Sequence, residues 1–334
     1  INASKDKELL LPLNFGARGS AQIGGAISTN AGGLRVFKYG MTRNLVMGIE
    51  AVLPDGTIIS SLKKLMKDNS GYDLKQFFIG SEGTLGIITE VQLRLSPIPE
   101  SIMSAVCHFP TLEKAVQTAQ QVIQYGVPIA RIEMLNKEQM GISINYSNLK
   151  DIQAVPTLFF VFHGSETSNN ENIKIVEEIS KDNNGSSFKW AKDLEERNKI
   201  WKARWDVYYS VKALINNGRV YSTDVCVPIS KITECVKFAE EQAKKFGVRA
   251  PMVGHMGDGN FHVILPFDPE NKESYKKIRP FNDTLIKKSL ELNGTITGEH
   301  GVGLHKKEYL LEQHPDNIPV MKSIKRTLDL NNIM

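Results

Sequence analysis

A chain of 334 residues can bury a substantial core without disulfides, and it fits one large domain or two ordinary ones. Its 41% hydrophobic and 23% charged residues are typical of a globular protein, and the net charge of +4 is too small to predict a nucleic-acid partner. The three cysteines form no C-x-x-C pair, which favours a reducing compartment over a disulfide framework.

The first distinctive segment is rich in glycine and runs from Gly19 to Gly40, with the sequence GSAQIGGAISTNAGGLRVFKYG. Glycine pairs among small polar residues expose backbone N–H groups that can face a phosphate or the edge of a flavin. The spacing is not G-x-G-x-x-G, so the segment does not predict a Rossmann site. A glycine-rich turn region without a ligand is the alternative.

Two strand patterns follow in the same half of the chain. The stretch GIEAVLPDGTIIS (48–60) predicts strand, turn and strand, with Asp55 and Gly56 in the turn. The stretch GIITEVQLRLSP (86–97) alternates apolar and polar residues, as a half-buried strand does. Between them, FFIGSEGTLGIIT (77–89) contains three closely spaced glycines, which indicate either backbone-lined binding or a simple bend.

Pro97 and Pro99 predict a domain boundary, with one domain over 1–98 and a second over 99–334. The second domain continues with alternating strands and helices, which predict a β-α-β-β-α-β-like arrangement and an α+β fold class. The predicted strands are SAVCHFP, ARIEML and TLFFVFHGS, and the predicted helices are TLEKAVQTAQQVIQYG (111–126), NENIKIVEEISKDNNG (170–185) and ISKITECVKFAEEQAKKFG (229–247), the last with Ser230 as its N-cap and Gly247 as its stop.

One arginine stands in an aromatic stretch, KIWKARWDVYYSVKAL (199–214). A guanidinium can bind a carboxylate through two parallel hydrogen bonds, so Arg204 is a candidate substrate ligand. In the alternative interpretation, Arg204 is a surface residue and the neighbouring aromatic side chains simply belong to the core.

A pair of histidines lies in GHMGDGNFHVILPF (254–267). His255 and His262 flank a glycine-containing segment that disfavours a helix, and Asp258-Gly259 predicts a turn between two strands. A tight turn brings residues at its two bases together, so the two imidazoles could bind one cation. Such a site usually takes a third ligand, often a carboxylate.

That carboxylate is available in GTITGEHGVGLHKKEYL (294–310), where Glu299 precedes His300. Adjacent side chains on an extended backbone point to opposite sides, so Glu299 could face a metal while His300 faces a substrate. A structural or solvent-exposed role is the ordinary alternative for any single histidine. Four acid or base groups in two glycine-rich segments favour a site.

These motifs resemble a known family of flavoproteins. GSAQIGGAISTNAGG and IGSEGTLGIIT resemble the PCMH-type FAD-binding domain of the vanillyl-alcohol oxidase-like flavoproteins. GHMGDGNFH and TGEHGVGL are similar to the C-terminal domain of the D-lactate dehydrogenase, glycolate oxidase and D-2-hydroxyglutarate dehydrogenase group. The resemblance implies the C-terminal portion of a PCMH-type FAD-binding domain followed by a ferredoxin-like α+β cap or substrate domain.

The resemblance also implies roles for individual residues. His255, His262 and Glu299 would bind a divalent metal, zinc or manganese. His300 would act as the base on the substrate hydroxyl, Arg204 would bind the substrate carboxylate, and Asn260 would lie near the substrate. The positions that match FAD-contacting regions of the family are Gly24, Gly25, Thr29, Asn30, Gly32, Glu82, Gly86 and Ile88.

The implied activity is FAD-dependent oxidation of a D-2-hydroxy acid to the 2-oxo acid, with hydride transfer to flavin N5. The reduced flavin would then pass its electrons to a quinone, a cytochrome or an electron-transfer flavoprotein. VPIARIEML and GRVYSTDVCVPISK resemble cytochrome-type D-lactate dehydrogenases, whereas KDNSGYDLKQFFIGSEG is more similar to D-2-hydroxyglutarate dehydrogenases. Ser222 stands where the latter usually carry a lysine, which favours D-lactate over 2-hydroxyglutarate, with glycolate as a further alternative.

Other expectations remain open at this stage. A homodimer is a candidate assembly, and the location implied is cytoplasmic, peripheral at the inner membrane, or mitochondrial if the source is eukaryotic. The family's pyrophosphate-binding loop is expected upstream of Ile1 and its Asn-Pro pair beyond Met334, so this stretch alone is expected to bind FAD poorly. The rival interpretations are a metal-dependent hydrolase, with His300 activating a metal-bound water, and a non-catalytic subunit or fragment.

Overall fold

The structure, a computed structural model, describes residues 2–16, 19–150 and 152–334. It divides the chain into two units, one formed by Ile1–Ile98 together with Thr297–Met334 and the other by Pro99–Ile296. The predicted domains 1–98 and 99–334 stay a prediction, since the segment from Thr297 onward is grouped with the first unit.

The N-terminal part of the first unit consists of short helices and two small antiparallel sheets. The elements are α1 (Asn2–Lys5), β1 (Leu9–Leu10), α2 (Ile23–Ser28), α3 (Val36–Tyr39), α4 (Thr42–Leu45), β2 (Val46–Val52), β3 (Ile58–Ser60), α5 (Lys75–Phe78), β4 (Ile87–Leu93) and β5 (Ser96–Pro97). One sheet has the order β3-β2-β4 and the other pairs β1 with β5.

Both strand predictions in this region are confirmed. β2 and β3 form the predicted hairpin, and Gly56 adopts the left-handed conformation in its turn with φ +86°. The side chain of Asp55 accepts a hydrogen bond from the backbone N–H of Thr57 at 2.9 Å, which closes that turn. The predicted strand at 86–97 is present as β4, which pairs with β2.

The second unit contains most of the regular structure of the described chain. Its elements are β6 (Ser101–His108), α6 (Leu112–Gln124), β7 (Ile129–Leu135), α7 (Lys137–Ser147), β8 (Thr157–Gly164), α8 (Glu166–Asp182), β9 (Ser186–Ala191), α9 (Leu194–Trp205), α10 (Val207–Lys212), β10 (Arg219–Ser222), β11 (Val225–Cys226), a 3₁₀ turn (Ile229–Lys231), α11 (Ile232–Phe246), β12 (Met252–His255), β13 (Asn260–Phe267), α12 (Lys272–Lys276) and α13 (Ile278–Glu291). The first unit then ends with α14 (Lys307–Gln313) and α15 (Asn317–Leu328).

One antiparallel sheet organises the second unit, with the strand order β10-β13-β12-β7-β8-β6-β9 and β11 paired to β13. Within it, β6-α6-β7 and β8-α8-β9 are two crossovers whose strands interleave as β9-β6-β8-β7. This is the predicted β-α-β-β-α-β arrangement, with α7 inserted between β7 and β8. Strands β12, β13 and β10 extend the sheet beyond β7, and β12 and β13 carry the two histidines of the motif.

The core follows the amphipathic pattern of the helices. The predicted helix at 111–126 is confirmed as α6, which begins where the Thr111 side chain accepts a hydrogen bond from the backbone of Lys114 and which buries an apolar face. A second set of helices packs on the sheet through Trp201 of α9 and Val207 of α10, which share a buried cluster with Phe159 of β8.

Two helix boundaries differ from the sequence prediction. Ser230 is not the N-cap of α11, because the preceding residues form a 3₁₀ turn and Lys231 occupies the cap position. The helix does stop at Gly247 as predicted, and Gly247 adopts the left-handed conformation there. Helix α8 begins before the predicted Asn170, because the hydroxyl of Ser165 accepts a hydrogen bond from the backbone of Ser168 and caps the helix earlier.

Candidate active site

Four buried polar side chains share one face of three neighbouring strands in the second unit. The register places His255 on β12 opposite Glu133 on β7 and opposite Asn260 on β13. His262 lies two positions further along β13, so its side chain is on the same face as Asn260. All four side chains are buried. The predicted meeting of His255 and His262 across a turn is therefore confirmed.

The two imidazoles have defined hydrogen bonds that orient their rings. Their ring centroids lie 5.4 Å apart, nearly perpendicular at 81°. Nδ1 of His262 lies 2.8 Å from the carbonyl oxygen of Thr223, and a carbonyl can only accept, so Nδ1 donates. Nδ1 of His255 lies 2.7 Å from a carboxylate oxygen of Glu133. A neutral ring that donates from Nδ1 carries its lone pair on Nε2, the arrangement that metal-binding histidines commonly use.

Glu133 also binds Arg204. The Nε and Nη2 atoms of Arg204 lie 2.8 and 2.7 Å from the Oε2 atom of Glu133. Complete burial would raise the pKa of Glu133, but the charges and hydrogen bonds of His255 and Arg204 outweigh that effect and hold the pKa below its ordinary value. Arg204, which the sequence predicts to bind the substrate carboxylate, is thus already paired with the internal carboxylate of Glu133. Glu133 was not among the residues predicted from the sequence.

Asn260 presents an acceptor at the same face. Its Nδ2 group donates to Oδ1 of Asp224 at 3.0 Å and to the backbone oxygen of Val225 at 2.8 Å. These two contacts fix which end of the amide is the oxygen. That oxygen, Oδ1, is buried and accepts no hydrogen bond within the part of the chain that the structure describes. A buried acceptor without a partner is unusual and suggests a missing donor or cation.

Glu299 and His300 lie on a bent loop of the first unit. The Nε2 atom of His300 is 3.8 Å from the Oε1 atom of Glu299. The backbone bends at residues 298–300 and forms no strand there, so the expectation of an extended segment is wrong. The side chain of Glu299 is 16% exposed and that of His300 is 45% exposed.

Glu82 holds this loop in place. Its two carboxylate oxygens accept hydrogen bonds from the backbone N–H groups of Val302 and Gly303, each at 2.7 Å. Glu82 itself is left-handed, with φ +52°, and its own N–H donates to the carbonyl of Ser28 at the end of α2 at 2.8 Å. The carboxylate that the resemblance assigned to a flavin-contacting region therefore connects the loop bearing His300 to α2.

Several other residues of the predicted flavin set have packing roles. The hydroxyl of Thr29 donates to a carbonyl one turn back in α2, and Oδ1 of Asn30 accepts from the backbone of Arg43 at 2.9 Å. A Cβ atom at Gly32 would come within 3.1 Å of the Glu299 carboxylate. These positions hold the local backbone together and are close-packed against the chain itself.

The remaining positions of that set divide into open and packed ones. A Cβ atom at Gly86 would come within 2.7 Å of the carbonyl oxygen of Val52, and Ile88 pairs with the neighbouring strand residue on β2. At Gly24 and Gly25, in contrast, an added Cβ would meet no atom of the described residues within 4 Å. Of the four glycines in the predicted flavin set, Gly24 and Gly25 are therefore the two with open space beside the backbone. Both lie within the short helix α2, where the sequence suggested an irregular turn region.

The division into units also divides the predicted site. His255, His262, Asn260 and Arg204 belong to the second unit, and the structure brings them together on one sheet face. Glu299 belongs to the first unit, as does His300. The set of three metal ligands, and the roles of all these residues, stay predictions.

Comparison with known families defines the class of protein. Residues 98–334 match the family described as FAD linked oxidases, C-terminal domain, and residues 2–61 match the family described as FAD binding domain. The chain therefore belongs to the FAD-linked oxidases and carries part of an FAD-binding domain. The predicted resemblance is confirmed.

Individual relatives narrow the comparison. The chain is 42% identical over 99% of its length to a probable mitochondrial D-lactate dehydrogenase of Danio rerio, and 37% identical over 98% to a mitochondrial cytochrome-type D-lactate dehydrogenase of Arabidopsis thaliana. It is 32% identical over 99% to a mitochondrial D-2-hydroxyglutarate dehydrogenase of Rattus norvegicus. The chain spans 67%, 57% and 62% of the lengths of these three relatives.

Solved structures share the fold. A 4-ethylphenol oxidase from Gulosibacter chungangensis aligns with a TM-score of 0.77 at 15% identity, covering 100% of this chain and 72% of that one. At this identity the likeness concerns the fold alone. The predicted fold class, an α+β chain with part of a PCMH-type FAD-binding domain and a ferredoxin-like second domain, is confirmed.

Proposed function

We propose that the protein to which this chain belongs catalyses the FAD-dependent oxidation of a D-2-hydroxy acid to the 2-oxo acid, with D-lactate as the favoured substrate. The observation that carries this proposal is the buried sheet face where two imidazoles, an amide oxygen and a guanidinium lie together. Imidazole, amide and guanidinium groups match the hydroxyl and carboxylate of such an acid. The names of the relatives from Danio rerio and Arabidopsis thaliana support D-lactate.

A divalent metal, zinc or manganese, fits the donor set of the second unit. His255 and His262 both donate from Nδ1, so each neutral ring carries its lone pair on Nε2. We propose Glu299 as the third ligand, because two imidazoles and one carboxylate are a common metal-binding combination.

FAD fits the first unit at the bare backbone of Gly24 and Gly25, where a side chain would occupy open space. The bound FAD would take up the two electrons of the oxidation, and the bound metal would stabilise negative charge on the substrate oxygen. Everything else in the reaction concerns how the chain binds the substrate and moves its proton.

Arg204 can still bind the substrate carboxylate although it is paired with Glu133. A guanidinium has five N–H donors, and Glu133 uses Nε and one N–H of Nη2. The opposite end, formed by Nη1 and the second N–H of Nη2, has the geometry for a bidentate carboxylate contact. The buried Oδ1 of Asn260 would lie near the substrate as a hydrogen-bond acceptor. His300 would then take the hydroxyl proton as general base.

The test is anaerobic flavin reduction in the full-length, FAD-loaded protein, followed by absorbance against a panel of D- and L-2-hydroxy acids. D-lactate is expected to bleach the flavin faster than L-lactate, glycolate or D-2-hydroxyglutarate. His300→Ala is expected to slow reduction by about 100-fold or more, the usual contribution of a general base. His305→Ala is the matched control, because His305 is an exposed histidine close by in the chain.

One outcome would refute the proposed activity, and another would refute only the role of His300. Flavin that is not reduced by any D-2-hydroxy acid would support the non-catalytic alternative. Unchanged flavin reduction in His300→Ala would remove the assignment of the base while leaving the activity in place. The hydrolase alternative has no support from the family match, since it leaves the FAD-binding segment without a role.

D-2-hydroxyglutarate is the second candidate substrate, because the Rattus norvegicus relative is named for it. Its distal carboxylate needs a further cationic partner. Ser222 ends β10 in the position where the resemblance places a lysine, and its hydroxyl bonds the carbonyl of Thr223 at 3.2 Å. A serine there lacks the charge for a second carboxylate, which favours the shorter substrate.

The electron acceptor and location are proposed from the same relatives. A cytochrome is the acceptor we favour over a quinone or an electron-transfer flavoprotein, since the Arabidopsis thaliana enzyme is named as cytochrome-type, and mitochondria are the corresponding location. Among the described residues, no helix is long and apolar enough to cross a bilayer. A homodimer is the proposed assembly, to be tested by light scattering of the full-length protein.

A further inference from the structure

We infer that Glu133 is a positioning residue that fixes the tautomer of His255 and the orientation of Arg204 at the same time. The metal ligand and the substrate-carboxylate ligand would then depend on a single buried carboxylate. This inference rests on the proposed function, because His255 and Arg204 take their roles from it. It adds to that function a residue that the sequence analysis did not assign.

The two oxygens of Glu133 have separate partners. Oε1 accepts from Nδ1 of His255 at 2.7 Å, and Oε2 accepts from Nε and Nη2 of Arg204 at 2.8 and 2.7 Å. The side chain of Glu133 is 2% exposed and that of Arg204 is 12% exposed. Each contact is charge-assisted and short, which gives it a narrow range of geometry.

A purely structural ion pair would need only Arg204. The sheet register instead places Glu133 directly across from His255 on the adjacent strand, so the carboxylate meets both groups without any displacement of the backbone. A carboxylate that accepts from Nδ1 of a metal-binding histidine fixes the ring orientation and makes Nε2 more basic. Replacing such a partner typically weakens metal binding by about 10- to 100-fold.

The second imidazole offers an internal comparison. His262 donates to the backbone carbonyl of Thr223, so its tautomer does not depend on Glu133. A change at position 133 should therefore alter the ring of His255 and leave the ring of His262 unchanged. A general loosening of the fold would alter both rings.

Glu133→Gln is the test substitution, because it keeps the size of the side chain but leaves one acceptor oxygen where two are needed. One edge of the amide carries N–H groups, which cannot accept from His255 or Arg204. The matched control is Glu138→Gln. Glu138 accepts from Nε of Arg249 and from the backbone of Ala250 in the same unit, outside the site and more exposed to solvent.

Three measurements on the full-length protein distinguish a positioning role from a structural one. Zn²⁺ alone is titrated into metal-depleted protein in competition with a chelator, and its affinity is expected to fall by about 10- to 100-fold in E133Q but not in E138Q. Nitrogen–proton NMR correlations of the metal-free protein report the ring tautomers, and only His255 is expected to change. The KM for D-lactate is expected to rise in E133Q, and Glu133→Asp should recover part of the Zn²⁺ affinity because it restores two acceptor oxygens.

Unchanged Zn²⁺ affinity together with an unchanged His255 tautomer in folded E133Q would overturn the inference. If E133Q does not fold, Glu133→Asp carries the same test, with a smaller loss expected and no loss overturning it. Wild-type protein that binds no Zn²⁺ would refute the proposed metal site instead. The tautomer measurement would still decide whether Glu133 controls His255.

Discussion

Replacing Glu82 by glutamine would test how firmly the loop bearing His300 is held. In the native protein, the two oxygens of Glu82 accept from the backbone of Val302 and of Gly303. Glutamine keeps one acceptor oxygen and turns an N–H donor toward the other backbone N–H. One charge-assisted hydrogen bond is lost outright, and the second becomes a neutral one.

The size of the effect follows from these contacts. A hydrogen bond to a charged group contributes about 1.5–3 kcal/mol, and the half-buried position of Glu82 favours the lower end of that range. Because 1.4 kcal/mol corresponds to a tenfold change in an equilibrium constant, the loop should open about tenfold more often. The melting temperature should change little, since the loss is confined to one loop.

Hydrogen exchange measures this opening directly. In E82Q, the amides of Val302 and Gly303 are expected to exchange about tenfold faster than in the wild type. Glu90→Gln is the matched control, because Glu90 is an exposed carboxylate on β4. Unchanged exchange at both amides in E82Q, in protein with normal exchange elsewhere, would show that the carboxylate does not hold the loop.

Further predictions concern glycine, the core and the cysteines. Gly86→Ala should lower the free energy of unfolding in urea by about 1–3 kcal/mol, because its Cβ would collide with a backbone carbonyl. Gly24→Ala should leave the free energy of unfolding unchanged but weaken FAD retention, measured as flavin release. Phe159→Ala should lower the free energy of unfolding by about 3–5 kcal/mol in the same titration, since the ring is 1% exposed. Burial raises the pKa of the Cys235 thiol to about 12, so iodoacetamide at about pH 8 should label the half-buried Cys226 first, as read by mass spectrometry. The first expectation would be contradicted if Gly86→Ala and Gly24→Ala were equally stable. The second would be contradicted by native stability in Phe159→Ala, and the third by labelling of Cys235 before Cys226.

The pairing of His255 with His262 could be predicted from sequence because the information is local. A glycine-containing turn between two apolar strands fixes a hairpin, and the alternation of side chains along β13 then fixes the face. The β-α-β-β-α-β arrangement was predictable for a similar reason, since each helix and strand has its own periodicity. Helix starts were predicted less accurately, because several residues before a helix can serve as its N-cap. In α8, Ser165 caps the helix earlier in the chain than predicted.

Glu133 was missed because its partners are distant in sequence, 122 positions away for His255 and 71 for Arg204. One signal in the sequence could have found it. The strand IARIEML carries Arg131 and Glu133 two positions apart among apolar residues, and every residue of β7 is buried. Charges on a fully buried strand need partners, so two of them on the same face predict a polar cluster there.

The glycine-rich segments show why their role could not be read from composition. Gly32 and Gly86 lack side chains because a Cβ would collide with the protein itself, whereas Gly24 and Gly25 lie beside open space. Glycine occupies both kinds of position, so the sequence alone does not show which of them is tightly packed. Only the surroundings of each Cα distinguish the two, and these depend on residues far along the chain.

The pairing of Arg204 with Glu133 changes what the proposed contact between Arg204 and a substrate carboxylate would depend on. The carboxylate of Glu133 neutralises the guanidinium, so net charge contributes little to the attraction of a second carboxylate. The remaining contribution is geometric. The side chain of Arg204 is already fixed by Glu133, and one end of its guanidinium is directed away from that carboxylate. A free arginine side chain would lose about 2 kcal/mol of rotamer entropy on being fixed. A fixed donor pair loses less freedom on binding than a mobile one. Lysine could replace the charge of Arg204 but could not contact both carboxylates with a planar fork. The proposed binding of a substrate carboxylate would therefore depend on the planar shape of the guanidinium more than on its charge.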